Sequence, residues 1–342
     1  MKSEKTRAIG FALLAAAFYA VNVPLSKVLL RDVGPTMMAA LLYLGAGIGI
    51  GLMSCLKQTG EEETPKLTRG DLPYVIGMIA LDIAAPILLM LGISHGSSSN
   101  ASLLGNFEIV ATTLVALMVF REQVSGRLWV AIGLITLSSA MLSFERGSMD
   151  FSYGSLLVLG ATVCWGFENN CTRRLADKSA YQIVILKGIF SGLGALCIAL
   201  FKGERFPDMT HAALALLLGF VAYGLSIFLY VRAQAVLGAA RTSAYYAVNP
   251  FIGAFLSLVF LREALHWMYL SALVVMAAGT ALVVADTLVQ SHVHAHQHTY
   301  THTHGGTTHT HTITHAHAHN HYLTTAGHQH HHTHGTLELD HH

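Results

Sequence analysis

The stretch SNASLLGNFEIVATTLVALMVFREQVSGR, Ser99–Arg127, is a plan that the chain uses twice. Laying Arg121-Glu122 on Arg262-Glu263 brings Ala101-Ser102 onto Thr242-Ser243, Glu108 onto Asn249 and Val119-Phe120 onto Phe260-Leu261. Each copy passes from small residues into an apolar run holding one or two polar side chains. It then meets an Arg-Glu stop and continues into a further apolar segment. An apolar run of about twenty residues is what a helix needs to cross roughly 30 Å of hydrocarbon. The unit therefore reads as a pair of membrane-spanning helices, present twice.

Composition agrees with that reading. Of 342 residues, 53% are hydrophobic and 11% charged, with a mean hydropathy of +0.51, whereas a soluble domain carries about 25% charged residues. A formal net charge of +1 gives no field to draw nucleic acid or an acidic partner. Cys55, Cys164, Cys171 and Cys197 lie in or beside apolar runs without a CxxC pair, so they read as small hydrophobes. Lys2, Lys5 and Arg7 precede the first apolar run. That run continues past Asn22 and its character returns from Gly154, so it is expected to be a retained span rather than a signal peptide.

Apolar windows fall at 8–30, 35–56, 72–93, 98–120, 127–144, 153–175, 180–201, 212–233, 240–261 and 267–286. The expected fold is an all-α membrane protein of ten spans. With a cytoplasmic N-terminus, thirteen of the twenty Lys and Arg residues fall on the inside and six on the outside, Lys187 lying within a span, so both termini are expected in the cytoplasm. Tyr19–Lys27 (YAVNVPLSK) also lies on Trp165–Arg173 (WGFENNCTR), so five spans repeat. Five being odd, the second copy inserts upside down. The expected organisation is a first repeat over 1–150, a second over 151–290 and a tail over 291–342. Inverted repeats are common in secondary transporters, whose substrate site forms near the midplane between the halves.

Two five-helix repeats, an aromatic-small pair in the first helix of each (Tyr19-Ala20, Trp165-Gly166) and an Arg-Glu pair ending the fourth (Arg121-Glu122, Arg262-Glu263) resemble the EamA-type transporters of the drug/metabolite transporter superfamily, over about residues 8–286. The resemblance implies a ten-helix inner-membrane carrier, often an exporter of amino acids or other small metabolites. It also implies a basic residue in the second helix of a repeat. This chain has Tyr43 in the first copy and Lys187 in the second.

An ionisable group at mid-membrane is costly and normally faces a cavity or a partner. Asp82, Glu108, Glu168 and Lys187 lie well inside apolar windows. One reading has a carboxylate carry a coupling proton, Glu168 beside Asn169 and Asn170 foremost, while Lys187 binds an anionic substrate group or pairs with Glu168. The other has these charges neutralise each other between helices. Asn22, Asn106 and Asn249, with Tyr43, Tyr223, Tyr245 and Tyr246, either line a polar cavity or hydrogen-bond between helices. Pro24, Pro86 and Pro250 are expected to kink their helices, and the run Gly45–Gly51 to permit close packing. The Arg-Glu pairs terminate helices or latch a gate. No GxxxxGK[ST] loop and no local nucleophile-base signature occurs, which sets ATP-driven transport and enzymatic chemistry aside.

Nineteen of the 22 histidines lie between His292 and His342, among Thr, Ala and Gly. Such a segment builds no core and is expected to be disordered. Its HxHxHxH spacing at His292, His294, His296 and His298, echoed at His315, His317, His319 and His321, suits zinc, nickel, cobalt or copper. The tail is expected to buffer or sense such a metal beside a small-metabolite carrier; the alternative is a transition-metal exporter fed by the tail.

Overall fold

The computed structural model describes residues 2–56, 67–120, 125–144, 152–175, 178–237, 242, 245–287, 289–304 and 307–322. Two compact units are present, Met1–Asp286 and Thr287–His342. The first is helical. α1 (Lys2–Ala20) and α2 (Asn22–Leu29) form one broken span, followed by α3 (Pro35–Leu56), α4 (Leu72–His95), a second broken span of α5 (Ser98–Leu104) and α6 (Phe107–Phe120), and α7 (Gly126–Ser143). Then come α8 (Tyr153–Arg173), α9 (Ala180–Leu186) and α10 (Gly192–Phe201) joined by a π-helical turn at Lys187–Ser191, α11 (Met209–Gly219) and α12 (Ser226–Leu237) joined by another at Phe220–Leu225, α13 (Asn249–Phe260) and α14 (Trp267–Thr287).

Eight of these segments are long and apolar enough to cross a membrane. The other two expected spans fall on α8, whose polar sequence Glu168–Arg173 lowers its hydropathy, and on the 12-residue α13.

The breaks have local causes. Pro24 has no N–H to give the carbonyl of Ala20 one turn back, and the chain turns at Val21. Pro250 stands likewise after a turn at Ala247–Val248, and Gly105 with Asn106 divides α5 from α6. Within the unbroken α4, Pro86 leaves the carbonyl of Asp82 without its usual partner.

Packing runs mostly between the two halves of the helical unit. α3 lies against α10, α11 and both π-helical turns; α4 packs on α8, α1 on α12, α5 on α13, α6 on α8 and α1 on α13. Several of these pairs correspond when residues 1–150 are exchanged with 151–290: α1 on α12 becomes α8 on α4, and α6 on α8 becomes α13 on α1. The glycine run of α3 permits the approach. A Cβ on Gly47 would lie 2.7 Å from the backbone nitrogen of Ile189 and 2.8 Å from the carbonyl carbon of Gly188.

In the second unit the described backbone is extended. β1 (Val289–His304) and β2 (Thr307–Tyr322) pair antiparallel, with Gly305 and Gly306 between them. Its composition builds no core, but it alternates with period two and is rich in β-branched Thr, which favours a strand. Residues 323–342 lie outside the described residues.

Candidate functional site

The polar residues singled out within the apolar windows converge where the helices are irregular. Asn22 follows the break at Val21, Glu108 follows the break at Gly105–Asn106, and Asp82 lies one turn before Pro86. Lys187 opens the first π-helical turn and Tyr223 lies within the second. Such widened turns recur at functional sites because they re-aim side chains within a continuous helix.

Lys187 is the hub. Its ammonium lies 2.8 Å from Glu168 Oε1 and 3.2 Å from Asp82 Oδ2. Asp82 is 1% exposed and Glu168 2%, so neither carboxylate is offset by water. Thr172, one turn after Glu168 on α8, also donates to Glu168 Oε1. The Tyr43 hydroxyl donates to Asp82 Oδ1 at 2.9 Å, while Asp82 Oδ2 accepts no hydrogen bond. Of the two roles read for Lys187, pairing with Glu168 is the one the geometry displays.

From Tyr43 the site continues through aromatic rings. Tyr43 and Tyr223 have centroids 5.3 Å apart, Tyr19 and Tyr223 5.5 Å, Tyr19 and Tyr246 6.2 Å, and Tyr230 and Tyr246 5.2 Å. Asn22, fully buried, donates to the Tyr223 hydroxyl at 3.0 Å and accepts from Ser26 at 3.1 Å. On the other side, Asn169 donates to Glu108 Oε1 at 2.7 Å and to the Thr112 hydroxyl at 3.2 Å. Asn170 binds the carbonyls of Thr112 and Gly166, which fixes α8 to α6. One chain of contacts thus runs from Asn22 to Lys187 and Glu168, and Asn169 beside Glu168 extends it to Glu108.

Three carboxylates, Asp82, Glu108 and Glu168, face one ammonium. Two of them share that ammonium, and Glu108 is held by a neutral amide. The arrangement has spare negative charge beside a row of phenols, so it favours a positively charged group or protons.

Not every expected residue joins it. Tyr245 is 36% exposed; its neighbour Tyr246 makes the ring contacts, because one residue step turns about 100° around a helix. Asn249 opens α13, half-buried. Asn106 is buried at the α5/α6 break, and its Nδ2 finds no partner among the described residues. Thr112 and Thr172 were not anticipated, although each stands four residues after a carboxylate, the spacing that brings helical side chains together.

At one edge of the helical unit Arg262 has φ 52°, left-handed for a residue with a Cβ. The turn carries Glu263 to the start of α5. Its carboxylate accepts from Ser97 Oγ at 2.7 Å, Ser98 N at 2.7 Å and Ser99 N at 2.9 Å. Lys27 donates to the carbonyls of Ile93 and Gly96 at the end of α4, at 2.5 and 2.8 Å. Glu204 accepts from Thr36 N and Met37 N at the start of α3. Helix termini are thus closed by charges of the sign their dipoles favour. Arg262-Glu263 acts as a helix stop that also caps a second helix, and Arg121-Glu122 lies outside the described residues.

The sequence matches the model of the EamA-like transporter family over residues 6–144 and again over 152–285. An uncharacterized transporter of Methanothermobacter thermautotrophicus (strain Delta H) is 25% identical over 291 residues, which span 78% of this chain and 83% of that protein. A protein of known crystal structure shares the fold with a TM-score of 0.61 at 16% identity, over 82% of this chain and 97% of the other. With two matches to one family model and apolar helices long enough to cross a bilayer, the chain belongs to the EamA-like transporter family and is a multi-pass membrane protein.

Proposed function

We propose that this protein is a secondary transporter that exports small amine-bearing metabolites, such as amino acids or their derivatives, by alternating access. In this reading ten spans form two inverted repeats with cytoplasmic termini in the inner membrane. The observation that carries it is the cluster of Asp82, Glu168 and Lys187, joined through Tyr43 and Tyr223 to Asn22 and extended by Asn169 to Glu108. It draws on both halves of the helical unit. An odd number of spans in each repeat supports inversion, and a site shared by two inverted repeats can open to either side by rocking one against the other.

The substrate's ammonium would be received by the carboxylates that Lys187 leaves under-neutralised, with the tyrosine faces as cation-π surfaces. A carboxylate of the cluster, Glu168 foremost, would exchange its proton for that charge. The metal-export alternative needs several ligands converging along the spans, and among the described residues no group of three His, Cys, Asp or Glu could hold an ion.

The test is flux in proteoliposomes under an imposed proton gradient, with amino acids and simple amines compared against their N-acetylated forms. Saturable flux of amine-bearing compounds, lost in a folded Glu168→Gln variant, is the expected result. Equal transport of N-acetylated forms refutes the amine assignment. Gradient-driven flux of zinc or nickel with no metabolite flux refutes metabolite carriage.

A further inference from the structure

Between the Glu263 edge of the helical unit and Glu108, α5 and α13 meet along a seam of small polar residues. Ser98 Oγ and Ser257 Oγ lie 2.8 Å apart, and both residues are fully buried. Ser257 donates to the carbonyl of Gly253, one turn back on α13, so Ser98 is the donor of the pair. One turn along α5, Ser102 stands over that glycine. A Cβ on Gly253 would lie 3.1 Å from Ser102 Oγ and 3.1 Å from the carbonyl oxygen of Ala20. The next step of the same four-residue register brings Asn106 and Asn249. Around this notch polar groups stand without their usual partners. Ser102 is 5% exposed and Asn106 2%, and neither Ser102 Oγ nor Asn106 Nδ2 has a hydrogen-bond partner among the described residues. In a continuous helix residue 24 would donate to the Ala20 carbonyl, and Pro24 has no hydrogen to give.

We propose that the α5–α13 seam holds a short file of water that passes protons between the Glu263 edge and Glu108. Buried polar groups without partners are unfavourable, and a pocket takes up water where several of them converge. Residues four apart on a helix have Cβ atoms about 5–6 Å apart, a gap that one water bridges with two hydrogen bonds of about 2.8 Å. A water or a hydroxyl accepts one proton as it gives up another, so Ser102 can relay. The Asn106 amide cannot; it donates to a water oxygen and orients that water. Each passage ends with one proton gained by the Glu108 carboxylate and one lost by water at the edge. Glu108 is half-buried, and its charge bears on Tyr19 of α1 and on Tyr246 just before α13. It therefore stands toward the seam, while Asn169 holds it from α8. The file deepens the proton exchange proposed above and rests on that reading for its use, since protons at Glu108 join the cluster through Asn169 beside Glu168.

The test follows the Glu108 carboxyl itself and needs no substrate. The full-length protein in lipid bilayers, held at acid pH, is exposed to D2O, and infrared spectroscopy reads the rate at which that carboxyl exchanges. Its band is assigned by its loss in Glu108→Gln. Asn106→Leu and Ser102→Ala are each expected to slow exchange at least about tenfold, the effect of one hydrogen bond lost from the path. Neither is expected to raise the melting temperature, because each removes a group that water satisfies. Thr280→Val removes another buried hydroxyl without a partner among the described residues, on α14 outside the seam, and is expected to exchange at the wild-type rate. Wild-type exchange in both seam variants would overturn the proposal. So would a higher melting temperature in Asn106→Leu, the mark of a dry seam in which the amide is a burden. Flux without proton coupling in the proteoliposome assay would refute the transport reading and leave the carboxyl exchange rates unchanged, so the two failures are told apart.

Discussion

Glu263→Ala isolates the carboxylate that closes the start of α5. In the wild type this group receives three hydrogen bonds, two from the main-chain nitrogens of Ser98 and Ser99 and one from the Ser97 hydroxyl. Ser98 and Ser99 are 0% and 3% exposed, so water does not readily replace the lost acceptor. Each buried donor left without a partner costs about 1–3 kcal/mol. The half-buried position of Glu263 argues for the lower part of that range, and two orphaned N–H groups then amount to about 2–4 kcal/mol. Glu263→Gln keeps a neutral acceptor and should lose about half as much, since hydrogen bonds to charged groups are roughly twice as strong. Thermal unfolding in a mild detergent, followed by intrinsic fluorescence, should rank wild type above Gln and Gln above Ala. Hydrogen exchange should accelerate locally over 98–104 before any global change. If the Ala variant melts with the wild type and those amides keep their protection, the carboxylate is not the cap and the assignment of the Arg-Glu motif falls.

Three further substitutions probe the same packing and charge logic. Lys187→Met leaves Asp82 and Glu168 buried without their shared cation and should cost about 3–5 kcal/mol; chemical unfolding that matches the wild type would show that the ammonium is not their counterion. Gly47→Val places a branched side chain against the backbone of Gly188 and Ile189, where no rotamer relieves it, and should cost about 1–3 kcal/mol by overpacking; a normal melting temperature would refute the close approach. Arg262→Gly relieves a left-handed conformation worth about 1–2 kcal/mol, so it should unfold later than the wild type, and earlier unfolding would mean that the arginine side chain itself holds the turn.

The spans were legible because hydrocarbon permits few solutions. A window such as 72–93 is apolar, long enough and bounded by charge, and α4 occupies it. The pairing of Lys187 with Glu168 was legible too, since two opposite charges within neighbouring apolar windows have few other partners. What was not legible is what depends on contacts between distant residues. Nothing local to Asp82 announces that Lys187 will reach it, and nothing local to Glu263 announces Ser98, 165 positions away. The choice of Tyr246 over Tyr245 turns on one residue of helical phase, which the break at Ala247–Val248 sets.

The way α3 is housed bears on how such a chain could be divided. Its glycine run rests on backbone from the second half, and the Lys187–Ser191 turn is in turn lodged against α3. Neither half therefore covers its own inner surface. Severed within 145–151 and produced as two polypeptides, the halves should be insoluble or degraded when made singly and should recover each other when made together, as two subunits of a heterodimer would. Continuity of the chain then serves stoichiometry and orientation of insertion more than it serves the packed interior.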